Sequence, residues 1–457
     1  MAARPVPAAA PLSVRLETLG CRLNEAELEA WARQFRGRGC RIAGADEPAD
    51  LVVVNTCAVT AEATRKSRGL LRRLKRRHPA ARLVVSGCAA SLADVDLGDA
   101  RIDLVVDNAD KDRLVELAAA AQLLPPGLPG PDPDADAAET LFARGRQRAF
   151  VKVQDGCRYQ CTFCITTVAR GAERSRPLAD IVAEVNAVAG GDTGVQEVVL
   201  TGVQLGGYGR DQGVAGLDLA RLIHTLLAET DVPRIRLGSV EPWDLPAGFW
   251  RLFKDPRLMP HLHLPLQSGA DSVLTRMARR CRSAEFRALV GAARAAVPDI
   301  GISTDIIVGF PGETDAQWQA TMDLVAELGF GQLHIFPYSP RAGTRAATMP
   351  AQVPEPVKRE RARQLAELGA VLRAASLDAR VGRTLPVLIE GEQEDAAGRY
   401  AGGFTPDYLP VRLRNAPPEL VGRIAPARLL ARSADDAALE ACLAPPAAAL
   451  SHKGDRQ

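Results

Sequence analysis

The sequence predicts an α/β protein of three parts: a doubly wound parallel α/β domain, a partial (β/α)6 barrel and a small closed β-barrel. Apolar β-type runs alternate with helical patterns over two long stretches, a segment rich in Pro, Gly and Asp separates the stretches, and short turn-rich strands follow. The chain has 457 residues, 47% of them hydrophobic, which is enough for two or three separate cores. We place the three domains at 12–123, 146–378 and 379–442, with a linker at 124–145 and a frayed tail at 443–457.

The first domain is predicted from four strand-like runs, VRLETLG, LVVVNT, ARLVVSG and IDLVV. Helical patterns follow them, among them NEAELEAWARQF and a basic helix from about Ala61 to Arg77. This alternation predicts a parallel sheet with helices on both faces. The segment LLPPGLPGPDPDADA at 123–137 sustains neither a helical nor a strand period, so it predicts an interdomain linker.

The alternation resumes after the linker. Six apolar runs, AFVKV, EVVLTG, RIRLGSV, HLHLPL, TDIIVGF and HIFPYS, are separated by helical patterns and fit six units of a partial barrel. In such barrels the reacting groups lie where strands end, and positions 201–202, 241, 267–269 and 309–313 follow these runs. Glycine and proline there are equally typical of plain turns. A helix rich in Arg and Glu at 355–377 then leads into the short strands of the predicted β-barrel.

Charge, apolar content and cysteine usage exclude several classes of protein. A net charge of +2 means that any affinity for nucleic acid depends on local basic patches. No apolar stretch approaches the roughly 18 residues of a membrane span, and prolines interrupt the N-terminal stretch that a signal peptide would need. Nine cysteines without a disulfide-like framework predict a reducing compartment. We therefore expect a cytoplasmic protein that does not associate with a membrane.

Three cysteines in the run VKVQDGCRYQCTFCITTVARG are spaced C-x3-C-x2-C: Cys157, Cys161 and Cys164. Structural zinc sites and ordinary electron-transfer clusters take four protein ligands, whereas three thiolates leave one iron of a four-iron cluster open. A zinc hairpin with a distant fourth ligand is the alternative, but zinc hairpins usually pair C-x2-C or C-x4-C with a second knuckle. The spacing resembles the radical S-adenosylmethionine (SAM) superfamily, in which the open iron binds the amino and carboxylate groups of SAM.

A second set of three cysteines is spread along the chain, and each member directly follows a predicted strand: Cys21, Cys57 and Cys88. The C-terminal ends of neighbouring strands in a doubly wound sheet meet at one edge, so we expect these thiols to lie together. A single free cysteine is often simply buried, but equivalent placement of three weakens that interpretation. The other cysteines share no such placement and are interpreted as structural: Cys40, Cys281 and Cys442.

The segments TLGCRLNEAE, VVNTCAVT, VVSGCAA, CRYQCTFC, HLHLPLQSGAD, TDIIVGFPGET and FPYSPRAGTRAA together resemble the radical-SAM methylthiotransferases over nearly the whole chain. The TLGC opening, PYSPRAGT and GFTPDYLPVRL look most like the branch that modifies N6-threonylcarbamoyladenosine next to the tRNA anticodon. The resemblance implies a methylthiotransferase domain, a radical-SAM barrel and an RNA-binding TRAM domain. Two positions depart from the family: Cys281 stands where tyrosine is common, and Gln204 where asparagine is usual.

By this resemblance each cysteine triplet holds a 4Fe-4S cluster. The cluster of Cys157, Cys161 and Cys164 would cleave SAM, and the resulting 5′-deoxyadenosyl radical would take the hydrogen from adenine C2. The cluster of the second triplet would supply sulfur, which a second SAM methylates. The implied partners are the anticodon stem-loop of tRNA and an electron donor such as flavodoxin or ferredoxin. Alternatives are methylthiolation of isopentenyl-adenosine in tRNA or of a ribosomal-protein aspartate, and a non-catalytic metal-containing RNA-binding protein.

The habits of the superfamily imply candidate contacts to SAM beside the cluster loop and at strand ends: Phe163, Thr201, Gly202, Ser239, Glu241, Arg174 and Arg176. The phenylalanine would meet the adenine, and the Thr-Gly pair the methionine amino group. The serine and the glutamate would accept hydrogen bonds from ribose hydroxyls, and one of the arginines would pair with the methionine carboxylate. Turns at the barrel rim and surface ion pairs explain each of these residues equally well.

The basic helix carries eight cations within thirteen positions: Arg65, Lys66, Arg68, Arg72, Arg73, Lys75, Arg76 and Arg77. This density suits phosphate contacts, with Arg146, Arg148 and arginines of the C-terminal barrel extending the track, although a solvated helix face is the alternative. Asn24 is predicted to cap the helix that follows Cys21. His261 and His263 alternate on one strand and are predicted to share a barrel face, without a role as metal ligands.

Overall fold

The computed structural model describes residues 11–44, 46–93, 95–98, 101–124, 147–190 and 195–444. Nearly all of the predicted linker, most of the predicted tail and Arg146 lie outside the described residues. Separate hydrophobic cores form around Trp31, Leu200 and Leu413, one in each of the three predicted parts. The predicted α/β class with three architectures is confirmed, as follows.

The first domain has helices on both faces of a parallel sheet. Its strands are β1 (Ser13–Thr18), β2 (Arg41–Ile42), β3 (Leu51–Thr56), β4 (Arg82–Gly87) and β5 (Leu104–Val106), in the order β2-β1-β3-β4-β5. Its helices are α1 (Arg22–Arg36), α2 (Ala61–Arg77) and α3 (Leu114–Ala120). Successive residues of β3 face opposite sides: Val53 packs in the core that contains Trp31 of α1, and Val54 packs against Leu70 of α2. The sheet is therefore doubly wound, as predicted.

The second part contains the six predicted parallel strands. They are β6 (Arg148–Lys152), β9 (Glu197–Thr201), β10 (Arg234–Leu237), β11 (His261–His263), β12 (Gly301–Val308) and β13 (Gln332–Pro337). They pair as β10-β9-β6 and β11-β12-β13, and bridges between Ile235 and Leu258 and between Ser239 and His263 join the two halves into a partial barrel. A hairpin of β7 (Gln154–Asp155) and β8 (Arg174–Ser175) encloses the loop with the C-x3-C-x2-C spacing.

The helices of the second part are α4 (Thr166–Arg170), α5 (Leu178–Ala189), α6 (Leu219–Glu229), α7 (Asp271–Arg276), α8 (Ser283–Ala296), α9 (Asp315–Leu328) and α10 (Glu355–Asp378). Helix α4 begins two residues after Cys164. The last and longest of them leads to the third part, as predicted. No helix in the described part of the chain is long and apolar enough to cross a membrane.

The third part is a small closed β-barrel, as predicted. Its strands are β14 (Thr384–Asp395), β15 (Gly398–Phe404), β16 (Pro410–Arg414), β17 (Ile424–Arg432) and β18 (Leu439–Leu443), closed in the order β14-β15-β16-β18-β17. The turn between β15 and β16 inserts Tyr408 beneath the central barrel, where its ring lies 4.9 Å from that of His261. Gly301 at the start of β12 permits this approach, because a Cβ there would lie 2.3 Å from the Asp407 carbonyl oxygen.

The first domain lies across the side of the barrel between β6 and β13. Near β6, the backbone N–H of Phe150 donates to Glu29 Oε2 of α1 at 3.2 Å. Just after β13, Ser339 accepts a hydrogen bond from the Ala61 backbone at 3.2 Å, and Arg341 donates to Thr64 of α2 at 3.1 Å. The partial barrel is therefore flanked on this side by the sheet edge that carries the second cysteine triplet.

Candidate functional site

The loop that carries Cys157, Cys161 and Cys164 is held tightly by the hairpin. Gly156 has φ +69°, and a Cβ there would lie 1.8 Å from the Ala172 carbonyl oxygen, so only glycine fits. The backbone N–H groups of Tyr159 and Thr166 donate to the sulfurs of Cys157 and Cys164, each at 3.4 Å. Such donors stabilise a thiolate that binds a metal.

The ionisation of these thiols suits a metal centre. Burial raises the pKa of Cys157 to about 12, and the neighbouring sulfurs of Cys164 and Cys161 contribute to the rise. Burial also raises the pKa of Cys161. Thiols of this kind stay protonated at neutral pH unless a cation displaces the proton, which is what iron binding does. The residues therefore fit a three-thiolate cluster site, and their assignment as ligands remains a prediction.

The second triplet is assembled by the sheet. Strands β1, β3 and β4 are neighbours, and the loops that follow them carry Cys21, Cys57 and Cys88 to one edge. Close packing explains a glycine in the first loop: Gly20 has φ +124°, and a Cβ there would lie 2.8 Å from Cys57 Cβ. Burial raises the pKa of Cys57 to about 11, and Cys88 and Cys21 lie near enough to raise it further. The structure thus brings the three thiols together, while their role as cluster ligands stays a prediction.

One cavity of about 860 Å³ joins this edge to the barrel lumen. Its lining includes the second triplet, Thr166 beside the cluster loop, and three of the candidate SAM contacts: Cys21, Cys57, Cys88, Thr201, Gly202 and Ser239. The volume lies within the range of sites for small molecules and nucleosides. The lining of this cavity belongs both to the first domain and to the strand ends of the barrel.

The other four candidate SAM contacts do not line this cavity. Phe163 packs against the apolar cluster that contains Met277. Glu241 forms a two-pronged ion pair with Arg279, at 2.9 and 2.6 Å, and this arginine also lies 4.0 Å from Cys161 Sγ. Glu241 therefore positions the Arg279 guanidinium beside the loop that carries Cys161.

The two arginines suggested for the methionine carboxylate are engaged elsewhere. Arg176 binds Glu184 at 2.5 Å and the Lys152 carbonyl at 2.7 Å. Arg174 lies 3.8 Å from Asp155 and is half-exposed. Their role at SAM stays a prediction that needs a rearrangement of Arg176.

Polar side chains fill the middle of the lumen. His261 and His263 both line the cavity, which confirms that they share a face. His263 Nε2 lies 3.1 Å from Asp305 Oδ1, and its Nδ1 lies 2.9 Å from Ser303 Oγ. Ligand atoms of His263, Asp305 and His334 all lie within 4.8 Å of one another. The lumen therefore presents a set of hydrogen-bonding groups to a bound molecule.

Comparison with known proteins places this site in a family. The profile described as uncharacterized protein family UPF0004 matches residues 13–107, and that of the radical SAM superfamily matches residues 151–325. The threonylcarbamoyladenosine tRNA methylthiotransferase of Thermotoga maritima is 36% identical over 386 residues, which cover 83% of this chain and 86% of the relative. The chain belongs to the radical-SAM methylthiotransferases.

Relatives that are named for another tRNA substrate are equally similar. The tRNA-2-methylthio-N(6)-dimethylallyladenosine synthase of Maricaulis maris is 36% identical over 441 residues, 92% of this chain and 94% of the relative. Among solved structures, a radical SAM methyltransferase from Kitasatospora setae with cobalamin and a 4Fe-4S cluster bound has a TM-score of 0.54. It is 16% identical and covers 74% of this chain and 77% of that one, so it supports the fold alone.

A buried ionic network, which the sequence did not predict, lies between the two triplets of this methylthiotransferase. Arg170, at the end of α4, binds Glu27 of α1 at 2.9 Å, Asp155 at 3.0 Å and Asn24 Oδ1 at 2.7 Å. Lys111 also pairs with Glu27, and lies 3.4 Å from Asp155. Burial alone would raise the pKa of Glu27, but Arg170 and Lys111 lower it to about 2. The network fixes α4, which follows Cys164, against α1, which follows Cys21.

The predicted capping role of Asn24 is wrong. Helix α1 begins at Arg22 with Cys21 as its N-cap, so Asn24 lies inside the first turn. Its amide donates to the carbonyls of Leu19 at 2.7 Å and Thr56 at 3.2 Å, and thereby joins the loops of Cys21 and Cys57. The prediction depended on the position of Asn24 one turn past Cys21. That position suits a helix cap as well as a buried side chain that links two loops.

The basic helix α2 has the predicted bounds and buries the predicted leucines, Leu70, Leu71 and Leu74. Within the described residues Glu62 is the acidic partner of Arg65 and Lys66, and Asp46 that of Arg77. Several cations of α2 remain exposed and form no ion pair in the described part of the chain: Arg72, Arg73 and Arg76. The suggestion that Arg148 extends this track is wrong, because Arg148 is bound to Glu390 at 2.5 Å and to Tyr408 at 2.9 Å beneath the barrel.

Proposed function

We propose that this enzyme inserts a methylthio group at C2 of N6-threonylcarbamoyladenosine next to the anticodon of tRNA. The names of the relatives support tRNA as the substrate class, since relatives of both kinds are named for a modified adenosine in tRNA. Three of the relatives carry the threonylcarbamoyladenosine name at 32–36% identity. The segments TLGC, PYSPRAGT and GFTPDYLPVRL favour the same branch.

The observation that carries the proposal is the shared cavity. Its lining includes the thiols of Cys21, Cys57 and Cys88 on one side and Thr201, Gly202 and Ser239 on the other. A base in this cavity would lie between a sulfur source and a bound SAM. An enzyme that replaces a C–H bond by a C–S bond needs both reactants at one carbon atom.

In this proposal each triplet holds a 4Fe-4S cluster, and the enzyme uses two SAM molecules per product. When bound, these groups supply the radical that activates the C–H bond and the methylthio group that replaces the hydrogen. The chain's own residues position them: backbone N–H groups support the sulfurs of Cys157 and Cys164, and Arg279 lies beside Cys161. A flavodoxin or ferredoxin is the expected electron donor.

The anticodon loop is single-stranded, which lets one base leave its stack and enter an enzyme. Phe336, on β13, lines the cavity with 42% of its surface exposed, and its ring offers a stacking surface for a base. Exposed cations on α2, which begins four residues after Cys57, would contact the phosphates of the stem-loop. A reducing cytoplasm suits nine free cysteines and oxygen-sensitive clusters.

Mass spectrometry of tRNA nucleosides from cells with and without the gene tests the proposal. Loss of 2-methylthio-N6-threonylcarbamoyladenosine, with its unmethylthiolated precursor retained, is the expected result. Complementation with wild-type enzyme should restore the nucleoside and the Cys57→Ala variant should not. Loss of the dimethylallyl analogue instead would assign the other tRNA substrate, and no change in either would favour a protein substrate or a non-catalytic role.

A further inference from the structure

An arginine that has no ion-pair partner among the described residues lies beside the second cysteine triplet. Arg22 follows Cys21 directly and lines the shared cavity. Its guanidinium donates to Tyr408 Oη at 3.0 Å and lies 5.4 Å from the centre of that ring. Among the described residues no carboxylate lies within 4.0 Å of it. Its charge is therefore available to a bound molecule.

The neighbouring arginines around Tyr408, unlike Arg22, are paired with carboxylates. Arg148 is paired with Glu390 at 2.5 Å, and Arg236 with Glu197 at 2.7 Å. Arg170, which also lines the cavity, is neutralised by Glu27 and Asp155. These three arginines each have a carboxylate partner, and Arg22 lacks one within the part of the chain that the structure describes.

The rest of the lining leaves the cavity positively charged. Asp305 is the one acidic residue among the described lining residues, and it is bound to His263. Burial lowers the pKa of His334, with His263 and Arg22 adding to the effect. Burial also lowers the pKa of His261. At neutral pH these two imidazoles, His261 and His334, offer hydrogen bonds without charge. Arg373 also lines the cavity, but its guanidinium donates to the Ala437 carbonyl oxygen at 2.6 Å, whereas Arg22 is the lining arginine that donates to Tyr408.

We propose that Arg22, held by Tyr408, forms a subsite for the carboxylate on the N6 substituent of the substrate adenosine. This inference rests on the proposed function. The threonylcarbamoyl group carries a carboxylate and a hydroxyl, whereas the dimethylallyl group of the rival substrate is apolar and would leave the guanidinium without a partner. A planar guanidinium binds a carboxylate with two parallel hydrogen bonds, so arginine suits this task better than lysine.

The position of Arg22 is consistent with a substrate base whose C2 atom faces the thiols. C2 and C6 of adenine are separated by N1, so a base with C2 toward the thiols directs its N6 substituent away from them. Arg22 begins beside Cys21 and extends to Tyr408, which lies beneath the barrel against His261. The arginine therefore reaches from the triplet toward the region where the substituent would lie. Discrimination between the two tRNA substrates would then come from one charged contact.

The test compares wild-type and variant enzymes on two stem-loop RNAs. One RNA carries N6-threonylcarbamoyladenosine, and the other carries its methyl ester, which lacks the negative charge. Wild-type enzyme should use the acid roughly 10- to 100-fold better than the ester, measured as kcat/KM. The Arg22→Gln variant should lose this preference, because its side chain is shorter and carries a neutral amide in place of the charged guanidinium. Arg22→Lys should retain part of the preference. Arg287→Gln, at an exposed ion pair on the outer surface, is the matched control and should behave as wild type.

Tyr408→Phe separates binding from positioning. It removes the hydroxyl to which Arg22 donates but leaves the charge, so a smaller fall in the acid preference is expected. Iron content and formation of 5′-deoxyadenosine without RNA are measured for every variant, so that a loss of cluster is distinguished from a loss of acid preference. An equal fall of kcat/KM for acid and ester in Arg22→Gln, or an unchanged preference, would overturn the subsite while the proposed function stands. Failure of the wild-type enzyme to modify the acid RNA would overturn both.

Discussion

The two cysteine triplets present similar chemistry but arise in different ways. Cys157, Cys161 and Cys164 lie within eight consecutive positions of one loop. A hairpin of two short strands, each of two residues, encloses that loop. The second triplet spans positions 21 to 88 and comes together only because β1, β3 and β4 are neighbours in the sheet. Local covalent spacing determines the first set, and strand order determines the second. The second site should therefore be more sensitive to changes in packing.

The largest expected effect separates the two triplets directly. Cys157→Ala should abolish SAM cleavage and leave about half of the iron, because one of three ligands of the first cluster is lost. Cys57→Ala should keep formation of 5′-deoxyadenosine and abolish methylthiolation. Iron per chain, 5′-deoxyadenosine and the methylthio nucleoside are the three readouts. Methylthio product from either purified variant would show that the assignment of the triplets is wrong.

The ionic network that joins the triplets should contribute strongly to stability. Glu27→Gln leaves Arg170 and Lys111 buried with Asp155 as their remaining carboxylate, which should cost about 3–5 kcal/mol in the free energy of unfolding. Glu327→Gln, in the exposed ion pair with Arg287, is the matched control and should cause no measurable change. Denaturant unfolding compares the two variants.

The same network gives acid sensitivity with a defined sign. The pKa of Glu27 in the fold is about 2, below its ordinary value, so its contribution is complete above about pH 4.5 and is lost as the pH falls toward 2. Unfolding free energies measured between these pH values should fall less steeply in Glu27→Gln than in wild type. An identical slope in both proteins would contradict the charged network.

Substitution of Gly20 should affect the second cysteine triplet and leave the loop of Cys157, Cys161 and Cys164 unchanged. Gly20→Ala places a Cβ 2.8 Å from Cys57 Cβ at φ +124°, so it should destabilise by roughly 1–3 kcal/mol and release iron from the second triplet. Gly213 also has a positive φ, +65°, but a Cβ there would have no atom of the described residues within 4 Å, so Gly213→Ala should carry the backbone cost alone. Thermal unfolding and iron content check both. Equal iron in the two variants would mean that the loops of the second triplet adapt freely.

The smallest effect concerns RNA contacts on α2. Replacing Arg72 and Arg73 by Gln should weaken tRNA binding and reduce the slope of log affinity against log salt by about 1 per lost phosphate contact. Arg221→Gln, an exposed position of α6 on the barrel exterior, should leave the slope unchanged. Binding measured at several salt concentrations decides between phosphate contacts and a merely solvated helix.

Some features of the site were predictable because they depend on neighbouring positions in the chain. The C-x3-C-x2-C spacing, the bounds of α2 and the placement of three cysteines after strands can be read without coordinates. Glu241 and Arg176 were less predictable, because their ion pairs depend on which helices pack around the barrel. Asn24 shows the same limit, since a helix start offers two roles to one side chain and only the packing selects between them.

The sequence by itself determined the element types, the reactive thiols and the family of this methylthiotransferase. Covalent spacing and the periods of helix and strand act over a few residues, so a single segment encodes them. The tertiary structure alone decided that Arg170 joins the two triplets and that Arg22 meets Tyr408, which lies 386 positions further along the chain. Contacts of this kind depend on how separately folded parts dock, and the docking depends on complementary surfaces that form only after each part has folded.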